Sequence, residues 1–322
     1  MNPSTQTEQY FAFYPEHVWS LEPLQVGELD LGRYTQAMSR IVWSSSIDLA
    51  TIAVAQDGLV LFKFHQRMVA RGILEVVNCF ALLLSSRARE YTLKHTLAVR
   101  ESKLSDIIVL DYSENALMNV HMEGVNNVAR EQYRERLLTT YMKVNMEKID
   151  LQIGGYWDRL IKSNIIHSGA YVLRKDNVVP EAALAQAVQD LAIARGKDYL
   201  VAILGAMPRI IEDYRESNYD SSLVMSWFII EAYLYTLWRE KCSSASDDTE
   251  SVSSAILIRD LKQVKVIPYQ VGQDLHTIRL ARNEVVHNTF EAAASQHEAR
   301  MAIAAIEQFI VRDSGLRLQL DI

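Results

Sequence analysis

The sequence predicts a mainly α-helical protein with a C-terminal four-helix up-and-down bundle. Ahead of it lies a larger, mostly helical region with room for a small β-hairpin or sheet. Three observations predict this. Met68, Ile73, Val76, Val77, Phe80 and Leu84 recur at the intervals that one face of an α-helix requires. The run 222–241 is apolar on nearly every side, as expected of a central helix or one covered by a partner chain. Pro180, Pro268 and the polar stretch 243–251 then divide the second half of the chain into helix-length pieces.

Residues 1 to about 30 combine Tyr10, Phe11, Phe13, Tyr14 and Trp19 with Pro3, Pro15 and Pro23, the composition of an irregular or extended arm whose aromatics pack on the domain. A short helix is expected over 31–43. Residues 47–64 form two apolar, β-branched runs separated by Asp57-Gly58, a dipeptide that favours a tight turn, so a hairpin is expected. Alanines at 50, 53 and 55 leave a buried helix broken at Gly58 as the alternative. One or two helices follow over 65–97, where Arg87, Arg89, Glu90 and Lys94 read as a solvated face or as phosphate contacts. Residues 104–112 suit a strand.

Beyond Gly124, charges alternate with apolar residues in a helical pattern until Gly154-Gly155, and a further segment spans about 156–169. Pro180-Glu181 opens the next helix, because proline fits the first turn and the acid suits the dipole there. It runs to about 194, and another, kinked by Pro208, covers 197–214. The sequence RESNYD (215–220) breaks the apolar periodicity and sets a boundary between domains 1–215 and 216–322. In the second domain helices are expected at 222–241, 252–264, 269–287 and 291–312, with Asp220, Ser221 or Ser222 as the first N-cap.

With 49% hydrophobic and 23% charged residues, the chain of 322 residues has the usage of a globular protein with real cores. Lys and Arg total 33 against 40 Asp and Glu, for a net charge of −7, so any contact with nucleic acid must be local. That balance weighs against a bulk nucleic-acid coat protein. Cys79 and Cys242 form neither a disulfide framework nor a zinc pattern, which fits a reducing cytoplasm. No secretory leader is expected at the N-terminus. The apolar runs 72–84 and 222–238 each contain an acid and fall short of the roughly 20 apolar residues of a membrane span. There is no Walker A loop, dinucleotide-binding turn, Gly-x-Ser-x-Gly or His-x-x-x-His pair, so neither cofactor nor metal is expected. His17, His65, His121 and His167 read as packing or surface residues.

The candidate site is LARNEVVHNTF (280–290), which places Arg282, Asn283 and His287 within six residues among Leu280, Val285, Val286 and Phe290. Histidine exchanges protons near neutral pH, and arginine stays charged and presents a fork of donors matched to phosphate oxygens. In-line attack on a phosphodiester needs a proton moved at one oxygen and charge stabilised on the others, two tasks that His and Arg perform without metal. RNA supplies its own nucleophile, the 2′-hydroxyl. Spacing alone is weak, since Arg89 and His95 form a similar pair in an ordinary basic stretch.

The surroundings of Arg282 carry more weight. Residues 216 to 313 resemble a HEPN domain (higher eukaryotes and prokaryotes nucleotide-binding). This is a small helical bundle whose ribonuclease members carry an Arg, often a polar residue such as Asn next to it, and a His four to six positions beyond the Arg. SSLVMSWFIIEAYLYTLW (221–238) resembles the first helix of that family, with one embedded acid, here Glu231. VIPYQVGQDLHTIRLARNEVVHN (266–288) is similar to its loop and third helix. The first two thirds of the chain lie outside the resemblance.

The resemblance implies a metal-independent endoribonuclease that leaves a 2′,3′-cyclic phosphate and a 5′-hydroxyl. His287 would be the general acid or base, Arg282 would bind the scissile phosphate, and Asn283 would orient the imidazole or touch the phosphate. Glu231 is either a supporting partner of Arg282 or a structural acid. On an ideal helix Arg282 and His287 diverge by about 140°, so the helix end must unwind or a second copy must complete the cleft. The family's habit implies a homodimer or higher homo-oligomer with a composite active site, two motifs facing across a twofold axis. It also implies a toxin-like effector in bacterial stress or antiphage defence, with residues 1–215 sensing a trigger or binding an activator or antitoxin. The alternative is a catalytically silent module for dimerisation or for binding a ligand or RNA.

Overall fold

Apolar and β-branched residues gather the N-terminal segments into a small antiparallel sheet, and the rest of what can be described is mainly helical. The structure is a computed structural model, and it describes residues 8–13, 19–20, 41–55, 58–91, 101–104, 107–112, 178–242, 252–288, 291–320 and 322. The chain divides into two compact units, 1–201 and 202–322.

In the first unit, β1 (Glu8–Phe13), β3 (Ile41–Ser46), β4 (Ala50–Ala55), β5 (Val60–Phe64) and β6 (Ile108–Tyr112) form a five-stranded sheet in the order β3-β4-β5-β1-β6. A two-stranded parallel pair joins β2 (Trp19–Ser20) to β7 (Val178–Val179). The expected hairpin over 47–64 is present: Val54 lies opposite Val60 and Ala50 opposite Phe64, with Gly58 at φ 88° beside the turn. The buried-helix alternative is therefore excluded. Ile52 and Phe11 both sit opposite Phe62, so all three point to one face. On that face Phe80 of α1 (Ala70–Tyr91) meets Phe62 edge-on at 5.5 Å. Full burial of two such rings contributes about 1.5–3 kcal/mol each.

Two expectations need correction. The helix over 31–43 fails at its end, because Ile41, Val42 and Trp43 enter β3, where Ile41 and Trp43 pair with β4 on either side of a bulge, while 31–40 lie outside the described residues. The aromatic arm is, over Glu8–Phe13, an interior strand hydrogen-bonded on both sides, by β5 and β6. Residues 124–169 also lie outside the described residues.

Helix α1 is buried without a break from Val76 to Ser86. Its Asn78 exchanges two hydrogen bonds with the backbone of Ser102. It packs on α2 (Glu181–Arg195), which Pro180 opens. Arg87 is therefore not a spare phosphate contact. Its guanidinium donates to the buried Asp190, which also accepts from Gln186, and pairs with Glu90. Burial, aided by the Asp190 charge, pushes the Cys79 thiol far up, so it stays protonated.

Helix α3 (Asp198–Arg215) contains both the division after Val201 and Pro208. Residues 216–218 turn the chain: Ser217 takes φ 62°, and Ser221 Oγ donates back to Asp213. In the second unit α4 (Tyr219–Lys241) is the central helix, with Trp227, Ile230, Leu234 and Leu237 buried. Against it pack α5 (Ser254–Gln263), α6 (Tyr269–His287) and α7 (Gln296–Ser314). Tyr233 stacks on Phe309 at 4.3 Å, and Trp238 Nε1 donates to Asp260. Asp220 does not cap α4; its carboxylate accepts from the backbone N–H of Ala294. Helix α7 begins later than the expected 291 because Ser295 and Glu298 form a capping box there. Among the described residues no helix is long and apolar enough to cross a membrane. The loop 243–251 lies outside the described residues.

Candidate functional site

Helix α6 carries the Arg-Asn-His cluster because its buried stripe, Leu275, Ile278, Ala281 and Val285, falls at helical spacing. Arg282 and Asn283 lie beside that stripe and are half-buried, while His287 is exposed at the last helical position. The helix is continuous from Tyr269 to His287, and the backbone N–H of Asn288 closes it on Glu284 at 2.8 Å. The helix end therefore does not unwind between Arg282 and His287. Five residues of intact helix separate them by about 7.5 Å along the axis and about 140° around it, so one copy does not converge them.

Arg282 and Asn283 do come together: Arg282 Nη1 donates to Asn283 Oδ1 at 3.0 Å. Its guanidinium also lies over the ring of Phe228 from α4, 5.8 Å from the centroid. The Arg282 Nε is buried and has no hydrogen-bond partner among the described residues. A half-buried cation held by one amide and one ring, and meeting no carboxylate among the described residues, is suited to an anionic ligand. Asn283 and His287 are four residues apart and share a face of α6.

Glu231 lies on α4 one turn beyond Phe228 and is partly exposed. Among the described residues it forms no ion pair with Arg282. On α4 and α6 three large apolar side chains are exposed, Phe228 at 51%, Leu280 at 51% and Val286 at 41%. Sequence reasoning gave Phe228 no place in the site, taking it only as one residue of the run apolar on nearly every side. It also passed over Arg279, one turn before Arg282, whose only signal was its spacing. Among the described residues no group of three His, Cys, Asp or Glu side chains is placed to hold a metal ion. In comparisons with family models, curated proteins and solved structures, the chain has no match.

Proposed function

We propose that the second unit is a HEPN-type endoribonuclease module that cleaves RNA through the attack of its own 2′-hydroxyl and works as a homodimer. His287 moves the proton at the 2′-hydroxyl or the leaving 5′-oxygen. Arg282 holds the scissile phosphate and stabilises the charge that develops on it. Asn283, already bonded to Arg282, orients the imidazole or touches the phosphate. The observation that carries the reading is this half-buried, incompletely satisfied guanidinium on the same unbroken helix as an exposed histidine. Because the two diverge on one helix, the working pair is made with a second copy, and exposed Phe228, Leu280 and Val286 supply apolar surface for it. In this reading the first unit senses a trigger, and the whole is a toxin-like effector in bacterial stress or antiphage defence.

The second reading is a silent module for dimerisation or ligand binding, favoured by the same apolar surface and by the divergence of Arg282 and His287 within one chain. Labelled RNA incubated with the full chain in EDTA separates the two. Cleavage by the wild type and none by the Arg282→Ala, His287→Ala double variant supports the nuclease. Equal cleavage by both, or none by either, removes it.

A further inference from the structure

Arg279 sits one turn before Arg282 on α6 and is half-buried. Its Nε, like that of Arg282, is buried with no hydrogen-bond partner among the described residues. Several other arginines meet a carboxylate, Arg71 that of Glu75, Arg87 that of Asp190, Arg209 that of Asp213, Arg259 that of Asp260 and Arg312 that of Asp313, although Arg300 also leaves a buried guanidinium nitrogen without a hydrogen-bond partner among the described residues. Among the described residues, Arg279 and Arg282 meet none. Asp274 and Glu284, the nearest acids of α6, stand five residues to either side of Arg279 and about 140° around the helix from it, and Asp274 accepts from Gln270. Two like charges three residues apart on a helix repel by a few tenths of a kcal/mol, and a protein of net charge −7 has acids to spare for neutralising them. An unneutralised pair at this spot is a place for an external anion.

The helix also sets where that anion lies. Arg279, Asn283 and His287 follow one another at intervals of four residues, so each is turned only about 40° from the last. Arg279 thus shares a face with the proposed general acid or base, about 80° from it, whereas Arg282 is about 140° away. Asn283 links the row to Arg282 through its hydrogen bond.

We propose that Arg279 is a positioning residue that binds the backbone phosphate next to the scissile one and so fixes the RNA strand along α6. The assignment rests on the ribonuclease reading of Arg282 and His287. A guanidinium grips phosphate oxygens without sequence preference, so Arg279 acts on binding and register rather than on the bond that breaks.

The test uses the full chain with His287→Ala, to prevent cleavage, and a short fluorescent single-stranded RNA followed by anisotropy over a salt series. Adding Arg279→Ala should weaken binding roughly tenfold and reduce the salt slope by about 0.7, the share of one phosphate on a single strand. Arg279→Lys should keep the slope while recovering only part of the affinity, and Arg259→Ala should match the parent. In the cleaving protein, Arg279→Ala should raise KM about tenfold and leave kcat at saturating RNA within about twofold. Thermal melts of every variant guard against misfolding, with Arg279→Gln as the second replacement. An unchanged affinity and slope, a loss in kcat alone, or no RNA binding by the parent overturns the assignment. Binding with the expected slope change but no cleavage by the wild type sinks the nuclease reading and leaves the Arg279 phosphate contact standing.

Discussion

Mixing Arg282→Ala chains with His287→Ala chains should restore activity that neither variant has alone. On the unbroken α6 the two side chains leave the helix about 140° apart and about 7.5 Å along it. If Arg282 of one copy works with His287 of its twofold mate, a mixed dimer holds one intact pair and one pair lacking both members. Random exchange makes about half of all dimers mixed, so the mixture should recover about a quarter of wild-type activity. The parents set a low background: losing a donor that stabilises the developing charge costs about 100- to 1000-fold, and losing the proton-transfer group costs about 100- to 10000-fold. The assay is cleavage of a quenched fluorescent RNA after the variants have been mixed, partly unfolded and refolded together. An equal mixture that stays at the average of its parents would refute the shared site.

Other predictions concern the scaffold and the setting of Arg282. Arg87→Ala removes the principal partner of the buried Asp190 and should destabilise the first unit by about 3 kcal/mol, read by chemical denaturation; a loss below about 1 kcal/mol would show that Gln186 alone satisfies the carboxylate. Burial raises the pKa of Glu307 above its ordinary value of 4.5, with Arg300 only partly opposing it. The folded state then holds that proton more tightly than the unfolded one, so the group's ionisation weakens the fold as pH climbs above about 4.5. Glu307→Gln should therefore raise Tm at pH 7, with the gain vanishing below pH 4, and an equal gain at both pH values would contradict the cause given. Phe228→Ala removes the ring beneath Arg282. It should lower kcat/KM by about two- to fivefold, the worth of about 0.5–1 kcal/mol for a partly solvated cation over a ring, and no change would mean the ring does not hold the guanidinium.

Where a single buried stripe governs an element, the residues alone were enough. Helix α6 follows its apolar spacing from Tyr269 to His287, and α1 and the Asp57-Gly58 hairpin are similarly local. Strand β1 was obscured because Phe11, Ala12 and Phe13 are apolar on both faces and so show no alternation, while the neighbouring prolines suggested an arm. The start of α7 was misread because the alanines at 292–294 favour a helix, although Ser295 and Glu298 carried the capping signal. The Arg87–Asp190 pair spans 103 residues, a distance at which no local pattern reports a contact. At the site, the motif gave Arg282, Asn283 and His287, but only the packed helices reveal Phe228 beneath the guanidinium and the uncompensated charge of Arg279.

The chemistry of the product ends tests the ribonuclease proposal most directly. If His287 and Arg282 drive attack by the neighbouring 2′-hydroxyl, RNA cut by the full chain in EDTA should carry a 2′,3′-cyclic phosphate on one fragment and a 5′-hydroxyl on the other, as mass spectrometry reads them. Fragments ending in a 3′-hydroxyl and a 5′-phosphate, or intact RNA, would contradict it.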